Sequence, residues 1–459
     1  MLTGDPQKET EMNIRRRSFL LGTGGIAMTA GLSACGNSSQ PGGTTSDGRP
    51  ELTYMYRGGE DERAAYNIAI KAFEEANDCS VKVIVTDADQ YTTKLQAAIT
   101  GNQVPDVFYL EQGSVMAFAT NHVVRDITAE VEASGVDLDN VWAYGVNSYR
   151  FDGERVGQGA MYGMPKDIGP FSFGYNRTMF EAAGIPLPDP EKPYTMDEFR
   201  AVAKQLTTDT NGDGELDQWG TGLNVTWNLQ AFVWSNGGDW VDEAKTTVTV
   251  DKPEFVEALQ TFADIQNVDK STPSIAEAQT LDTYQRWMKG EIGFFPVGPW
   301  DVSTYTKLDF DWDLIPYPVM GTGETATWVG SLGIAVAQST DHPDLAAKLA
   351  VYLSTNEEAQ RQLWKAGVQV PNLIDMATNE FATSEGMPEN KAEFLNIIQE
   401  TGRALPAATT WSGEWYDEFW VGIQPVLDGK KSAADYCKEV QPRMQEKLDA
   451  ANQQAEQNR

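Results

Sequence analysis

Residues 51–112 read ELTYMYRGGEDERAAYNIAIKAFEEANDCSVKVIVTDADQYTTKLQAAITGNQVPDVFYLEQ, and their rhythm decides the fold class. Residues 51–57, ELTYMYR, mix β-branched and aromatic side chains and read as a strand. Over 60–77 apolar side chains recur at Ala64, Ile68, Ala72 and Ala76, with Ala65, Ala69 and Phe73 beside them, which is helical spacing. Residues 80–86 read as a second strand, 87–99 as a second helix and 105–110 as a third strand. Strand–helix–strand–helix–strand in so short a span implies an α/β unit with a parallel sheet and helices on both faces. Ligands of such sheets gather beyond the carboxyl ends of the strands. That rule selects Tyr56 and Arg57 after the first strand, the turn 87–90 with Gln90 after the second, and Tyr109, Glu111 and Gln112 after the third.

Upstream, residues 15–35 read RRRSFLLGTGGIAMTAGLSAC. A positive cluster precedes an uncharged run over 18–34 that is too short and too glycine-rich for a membrane span. The paired arginines resemble a twin-arginine export signal, and Leu32-Ser33-Ala34-Cys35 resembles a bacterial lipobox. By that resemblance residues 1–34 are removed and Cys35 carries lipid such as palmitate. Residues 35–50 are dominated by Gly, Ser, Thr and Pro and are expected to be a flexible tether.

Composition narrows the function. The chain carries 67 acidic against 35 basic residues, a formal charge of −32. Such a surface repels phosphate backbones, so nucleic acid is excluded as a partner. Two histidines leave little scope for His-ligated zinc or a His-based triad. No HExxH, P-loop or GxSxG pattern occurs. Paired carboxylates, all that glycoside hydrolysis needs, are easy to find among so many acids, so an exported carbohydrate-active enzyme stays open as an alternative. Beyond Cys35 there are two cysteines, Cys79 and Cys437, one candidate disulfide in an oxidising compartment, with two buried thiols as the other reading.

Downstream, residues 162–180 read as an extended crossing segment. Thr195 with Glu198 forms a capping box for a helix over 195–206. Further strands are expected at 292–296, 314–317 and 334–337, a helix pair at 344–353 and 357–367, and helices again from 390 onward. The sharpest local motif is DTNGDGELDQ over 209–218. Asp209, Asn211, Asp213 and Asp217 fall at loop positions 1, 3, 5 and 9, Gly214 at the turning position 6, and Glu215 can offer its carbonyl at 7. This pattern predicts a structural Ca2+ site, although position 12 is Gly220, so that Gln218 or a distant carboxylate must close it. An Asx-rich turn is the alternative.

Several segments, in order, resemble the extracellular solute-binding proteins of ABC importers, the carbohydrate-binding family that includes maltose-binding protein. They are the lipobox with its linker, YGMPKD over 162–167 leading to GYN at 174–176, FVWSNGGDW over 232–240, MKGEIGFFPVGPW over 288–300, WDLIPYP over 312–318 and KLAVYLSTNEEAQ over 348–360. The resemblance implies an α/β, two-lobed periplasmic-binding-protein-like fold with a hinge and an interlobe cleft. Its implied layout is a first lobe over 51–165, mainly second lobe with crossing segments over 166–345, and helices over 346–459 that complete the lobes and hinge. It also implies a non-enzymatic function. A monomer, lipid-anchored at the outer face of the cytoplasmic membrane, would catch an oligosaccharide and hand it to the permease subunits of an ABC importer. A receptor for a non-sugar solute is a further alternative.

A sugar offers C–H faces that favour flat aromatic partners and hydroxyls that need donors and acceptors. Trp234 beside Asn236, Trp300 in its Gly-Pro-Trp turn, Trp328 near Ser331, and Trp411 near Glu414 supply that mixture. The family pattern puts Lys166 and Asp167 where a crossing meets the cleft. Trp219, Trp240, Trp312, Trp364 and Trp420 are assigned to packing.

Overall fold

A computed structural model describes residues 42–457. The expected export signal, the lipidation at Cys35 and the start of the tether lie outside the described residues. From residue 42 onward the tether is not free, which corrects its expected boundary. Gly42 N–H donates to Asp106 Oδ2 at 2.7 Å, Glu51 N–H donates to Gly43 O at 2.9 Å, and a bridge pairs Thr44 with Pro50. Asp106 is fully buried and also accepts from Thr53 N–H and Thr340 Oγ1, both at 2.7 Å. A buried carboxylate with that many donors available captures the passing backbone.

The opening pattern forms as read. Strand β1 (Glu51–Arg57) lies between β2 (Ser80–Thr86) and β3 (Val107–Glu111), parallel to both, with helices α1 (Glu60–Asn77) and α2 (Ala88–Thr100) as crossovers. Leu52 to Tyr56 are buried consecutively, as a strand covered on both faces requires. On α1 the expected stripe is offset by one position. Ala65, Tyr66, Ala69, Ile70 and Phe73 are buried, while Ile68 is 55% exposed. Turning the helix this way buries the two aromatic rings, whose area outweighs one Ile and three alanines.

The chain then leaves this sheet and comes back. Met164–Pro165 and Leu332–Val336 complete it, the latter antiparallel to β3 with Leu332 opposite Glu111. Helices Pro343–Thr355 and Glu357–Lys365 pack into the same first core through Ala346, Leu349, Leu353 and Leu363. A second sheet orders Trp312–Ile315, Ser172–Asn176, Ile292–Val297 and Trp219–Thr221. Its core gathers Phe173, Phe199, Phe294 and Tyr317, together with the long helix Ala433–Gln457. The crossing expected over 162–180 ends early, because Asn176 caps a helix Arg177–Ala183 by accepting from Met179 N–H at 2.9 Å. Thr195 and Glu198 form their capping box.

Between the two sheets lies a small third one, built from Gly169–Pro170, Thr327–Gly330 and Gly402–Arg403. Two crossing segments therefore pair with each other, Val329 with Pro170 and Gly330 with Gly169. The candidate disulfide does not form. Cys79 is buried in the first core and Cys437 in the second, both free. A bridge needs the two Cα atoms within about 7 Å, which separate cores do not provide.

Candidate functional site

The carboxyl ends of β1 and β3 bring Arg57 beside Glu111, with Nη1 to Oε1 at 2.7 Å. Burial pushes the Glu111 carboxyl above its usual range, and the Arg57 guanidinium pulls it partly back. Lys166, on the crossing segment, is gripped twice, by Glu62 at 2.8 Å and Asp167 at 2.9 Å. Its side chain is 4% exposed. Burial works against the ammonium charge, but the two carboxylates more than offset that and hold its pKa above the ordinary lysine value. Glu62 comes from the first turn of α1 and was not singled out from the sequence.

Asp167 also accepts from Leu332 N–H at 3.0 Å, and its carbonyl accepts from Ser331 Oγ at 2.6 Å. Gln112 joins this wall. Its amide donates to Ser148 Oγ at 2.7 Å and to Tyr144 Oη at 3.0 Å, while its carbonyl accepts from Ser331 N–H at 3.2 Å. Tyr144 in turn donates to Val329 O on the hinge strand. The first-lobe wall is thus wired to both crossings by hydrogen bonds.

Adjoining these groups along the hinge strands is an aromatic platform. Phe171 stacks on Trp328 at 4.5 Å and on Trp300 at 6.2 Å, with interplanar angles of 22° and 13°. Trp227 tilts against Trp328 at 5.5 Å, and Trp328 Nε1–H donates to the Trp227 carbonyl at 3.0 Å. Trp328 is 5% exposed, whereas Trp227 and Trp300 are 46% and 42% exposed. Large indoles left open to water beside buried partners mark a binding face. Two glycines make room for it. A Cβ at Gly298 would sit 2.2 Å from the Trp300 ring, and one at Gly169 would sit 2.9 Å from it. Asp301 follows Trp300 and accepts from Gly298 N–H at 3.3 Å. Burial raises its carboxyl to about 7, a shift that the Gly298 N–H only partly counters.

Arg57, Glu111, Gln112, Lys166, Asp167, Ser331, Trp300 and Trp328 therefore converge around the hinge. Of the other expected contacts, Tyr109 backs this wall, with Lys166 Nζ 5.8 Å over its ring, and the rest lie apart from it. Tyr56 and Tyr109 are buried in a cluster of tyrosines with ring centroids 5.7 Å apart, and Tyr109 Oη is taken by Glu62 and Tyr66. Gln90 is exposed in the first turn of α2. Trp234 is 2% exposed and donates to Asp239, so it packs rather than offering a face. Asn236 braces a loop, donating to Glu254 O and accepting from Gly321 N–H. Trp411 meets Phe151 edge-on at 5.9 Å against the first core, and Glu414 is exposed at a helix start. Trp227 follows the carboxyl end of strand Trp219–Thr221, where the ligand rule holds equally, but that three-residue strand was not expected from the sequence. Phe171 and Tyr144 carried no local signal.

The loop over 209–218 is braced by its own hydrogen bonds. Asp209 accepts from Gly212 and Gly214 N–H groups, both at 2.7 Å, and Asp217 is taken by Thr210. Asn211 and Asp213 accept from backbone N–H groups two residues on, and Gln218 donates to Leu206 O. Among the described residues no three His, Cys, Asp or Glu side chains gather as a metal set. These oxygens serve a chain of Asx turns around Gly212 and Gly214, both at positive φ, to which Glu215 contributes its backbone N–H.

Residues 58–360, two thirds of the chain, match the family model described as bacterial extracellular solute-binding protein. The diacetylchitobiose binding protein DasA of Streptomyces coelicolor is 24% identical, over 94% of this chain and 99% of that protein. An arabinooligosaccharide-binding protein of Halalkalibacterium halodurans is 25% identical, over 70% and 71%. An ABC substrate-binding protein from Listeria monocytogenes, solved in complex with cycloalternan, superposes with a TM-score of 0.76 at 24% identity, over 87% of this chain and 98% of that one. With its two sheets, its paired crossings and this match, the chain belongs to the bacterial extracellular solute-binding protein family.

Proposed function

We propose that this protein is the receptor of an ABC importer and that its solute is an oligosaccharide, held at the hinge and released unchanged. The observation that carries this reading is the platform of Phe171, Trp227, Trp300 and Trp328, two of its indoles open, set against a wall of paired charges and amides. Flat rings match sugar C–H faces, and the wall supplies hydroxyl partners. Two open indoles suit more than one sugar ring. The names of the similar proteins, diacetylchitobiose and arabinooligosaccharide receptors among them, agree in ligand class. In the same reading Cys35 is the lipid-bearing residue, the anchored chain is a monomer on the outer face of the cytoplasmic membrane, and permease subunits receive the solute. Tryptophan fluorescence across a panel of oligosaccharides tests the assignment. A saturable change with one or more glycans, each recovered intact, is expected. Silence toward every glycan, or recovery of cut products, contradicts it.

A further inference from the structure

The charges at the hinge are not balanced, and their arithmetic bears on which saccharides enter. Resting on the oligosaccharide reading, we infer that the site admits neutral or amine-bearing saccharides and refuses those carrying carboxylate, sulfate or phosphate. A receptor for an anionic sugar has to keep a cation available for the anion, because ion pairing with Arg or Lys supplies most of the recognition. Here Arg57 and Lys166, the two cations of the wall that lie at the hinge, are already engaged, while Arg63 stands exposed on the first turn of α1. Arg57 is held by Glu111 at 2.7 Å. Lys166 is held by two carboxylates, Glu62 at 2.8 Å and Asp167 at 2.9 Å, and is almost wholly buried. Within these two ion-pair clusters three acids answer two bases.

The platform side does little to relieve that surplus of acids, and with its carboxyl at about 7 Asp301 is itself only partly charged near neutral pH. Asp301 lies next to Trp300 and accepts from the Gly298 N–H, and among the described residues no cation forms an ion pair with it. Arg403, whose strand position pairs with Trp328, places its guanidinium 5.7 Å over the face of Trp234, on the second-lobe side. An incoming carboxylate would have to displace Glu111 from Arg57 or lie against Glu111 and Asp167. Like charges brought together in a partly desolvated cleft cost several kcal/mol (about 3 kcal/mol is already a hundredfold in affinity). A protonated amine meets the opposite field and gains from it. The excess of acids over the whole chain steers in the same direction over longer range.

Calorimetric titration of the whole protein with three oligosaccharides of one length and linkage tests this: a neutral one, its amine-bearing counterpart and its uronic-acid counterpart. The inference expects the neutral and amine forms to bind, and the uronic form to bind at least about tenfold more weakly than the neutral one. It also expects added salt to weaken the amine form selectively. In Glu111→Gln, which frees Arg57, the uronic form should recover about tenfold relative to the neutral one. A uronic form bound as tightly as its neutral match, or a Glu111→Gln protein with an unchanged ratio, overturns the inference and leaves the sugar reading standing. Binding of none of the three, nor of any glycan in the wider panel, removes both.

Discussion

Three tryptophans on neighbouring stretches of chain have different duties, and burial separates them. Trp227 and Trp300 are half open on the platform, while Trp234 is enclosed. Replacing Trp300 or Trp227 by alanine should weaken sugar affinity by about 1–2 kcal/mol with the melting temperature nearly unchanged. Trp234→Ala should instead cost about 3–5 kcal/mol of stability, read by urea unfolding, through loss of packing. Equal stability losses in all three would contradict this division. Asp301 gives a pH signature. Its folded carboxyl sits at about 7 against an ordinary value of 3.8, so the folded protein holds a proton there that the unfolded chain has released. Stability from this residue is therefore present at low pH and declines as pH rises from 3.8 toward 7. Asp301→Asn removes that slope, so the stability gap between wild type and variant should change across this window and flatten above it. A constant gap would show that the group is not titrating as described.

At the scale of elements, the sequence carried the first sheet well. A βαβαβ rhythm with consecutive buried residues in β1 allows few alternatives, and the strands formed in parallel as expected. On α1 the reading named Ala65, Ala69 and Phe73, which are buried, but centred the stripe on Ile68 and left out Tyr66, because periodicity alone does not weigh a Tyr ring against an Ile. The hinge was less legible. Gly169–Pro170, Thr327–Gly330 and Gly402–Arg403 are two to four residues long and far apart in sequence, so neither length nor pattern announces them as partners. The 209–218 loop had the right oxygens in the right order, but spacing does not tell a metal ligand from an Asx turn. Its self-satisfied hydrogen bonds predict that chelator and added calcium leave the thermal midpoint unchanged. A calcium-dependent rise would mean that the loop rearranges around an ion. Cys79 and Cys437, each in its own core, predict a midpoint indifferent to reductant, with both thiols reacting only after unfolding. A shift on adding reductant would point to a bridge.

Across the whole molecule, the site exists because the chain changes lobes more than once. Asp167 and Ser331 lie on different crossings and bond to each other, and Gln112 of the first lobe reaches the same Ser331. The second-lobe indole of Trp300 rests over Gly169 of the first crossing. Platform and wall therefore meet only in the assembled two-lobed molecule, which is why local motifs named some of the residues gathered there and overlooked Phe171, Trp227 and Glu62. The measurement closest to the central claim is calorimetric titration of the purified protein with a neutral oligosaccharide chosen from the fluorescence panel, run beside Trp300→Ala. The account predicts a saturable isotherm with one saccharide per protein chain, weakened in the variant, and the saccharide recovered uncut. A flat isotherm with folded protein, or one that the loss of Trp300 leaves untouched, would contradict it.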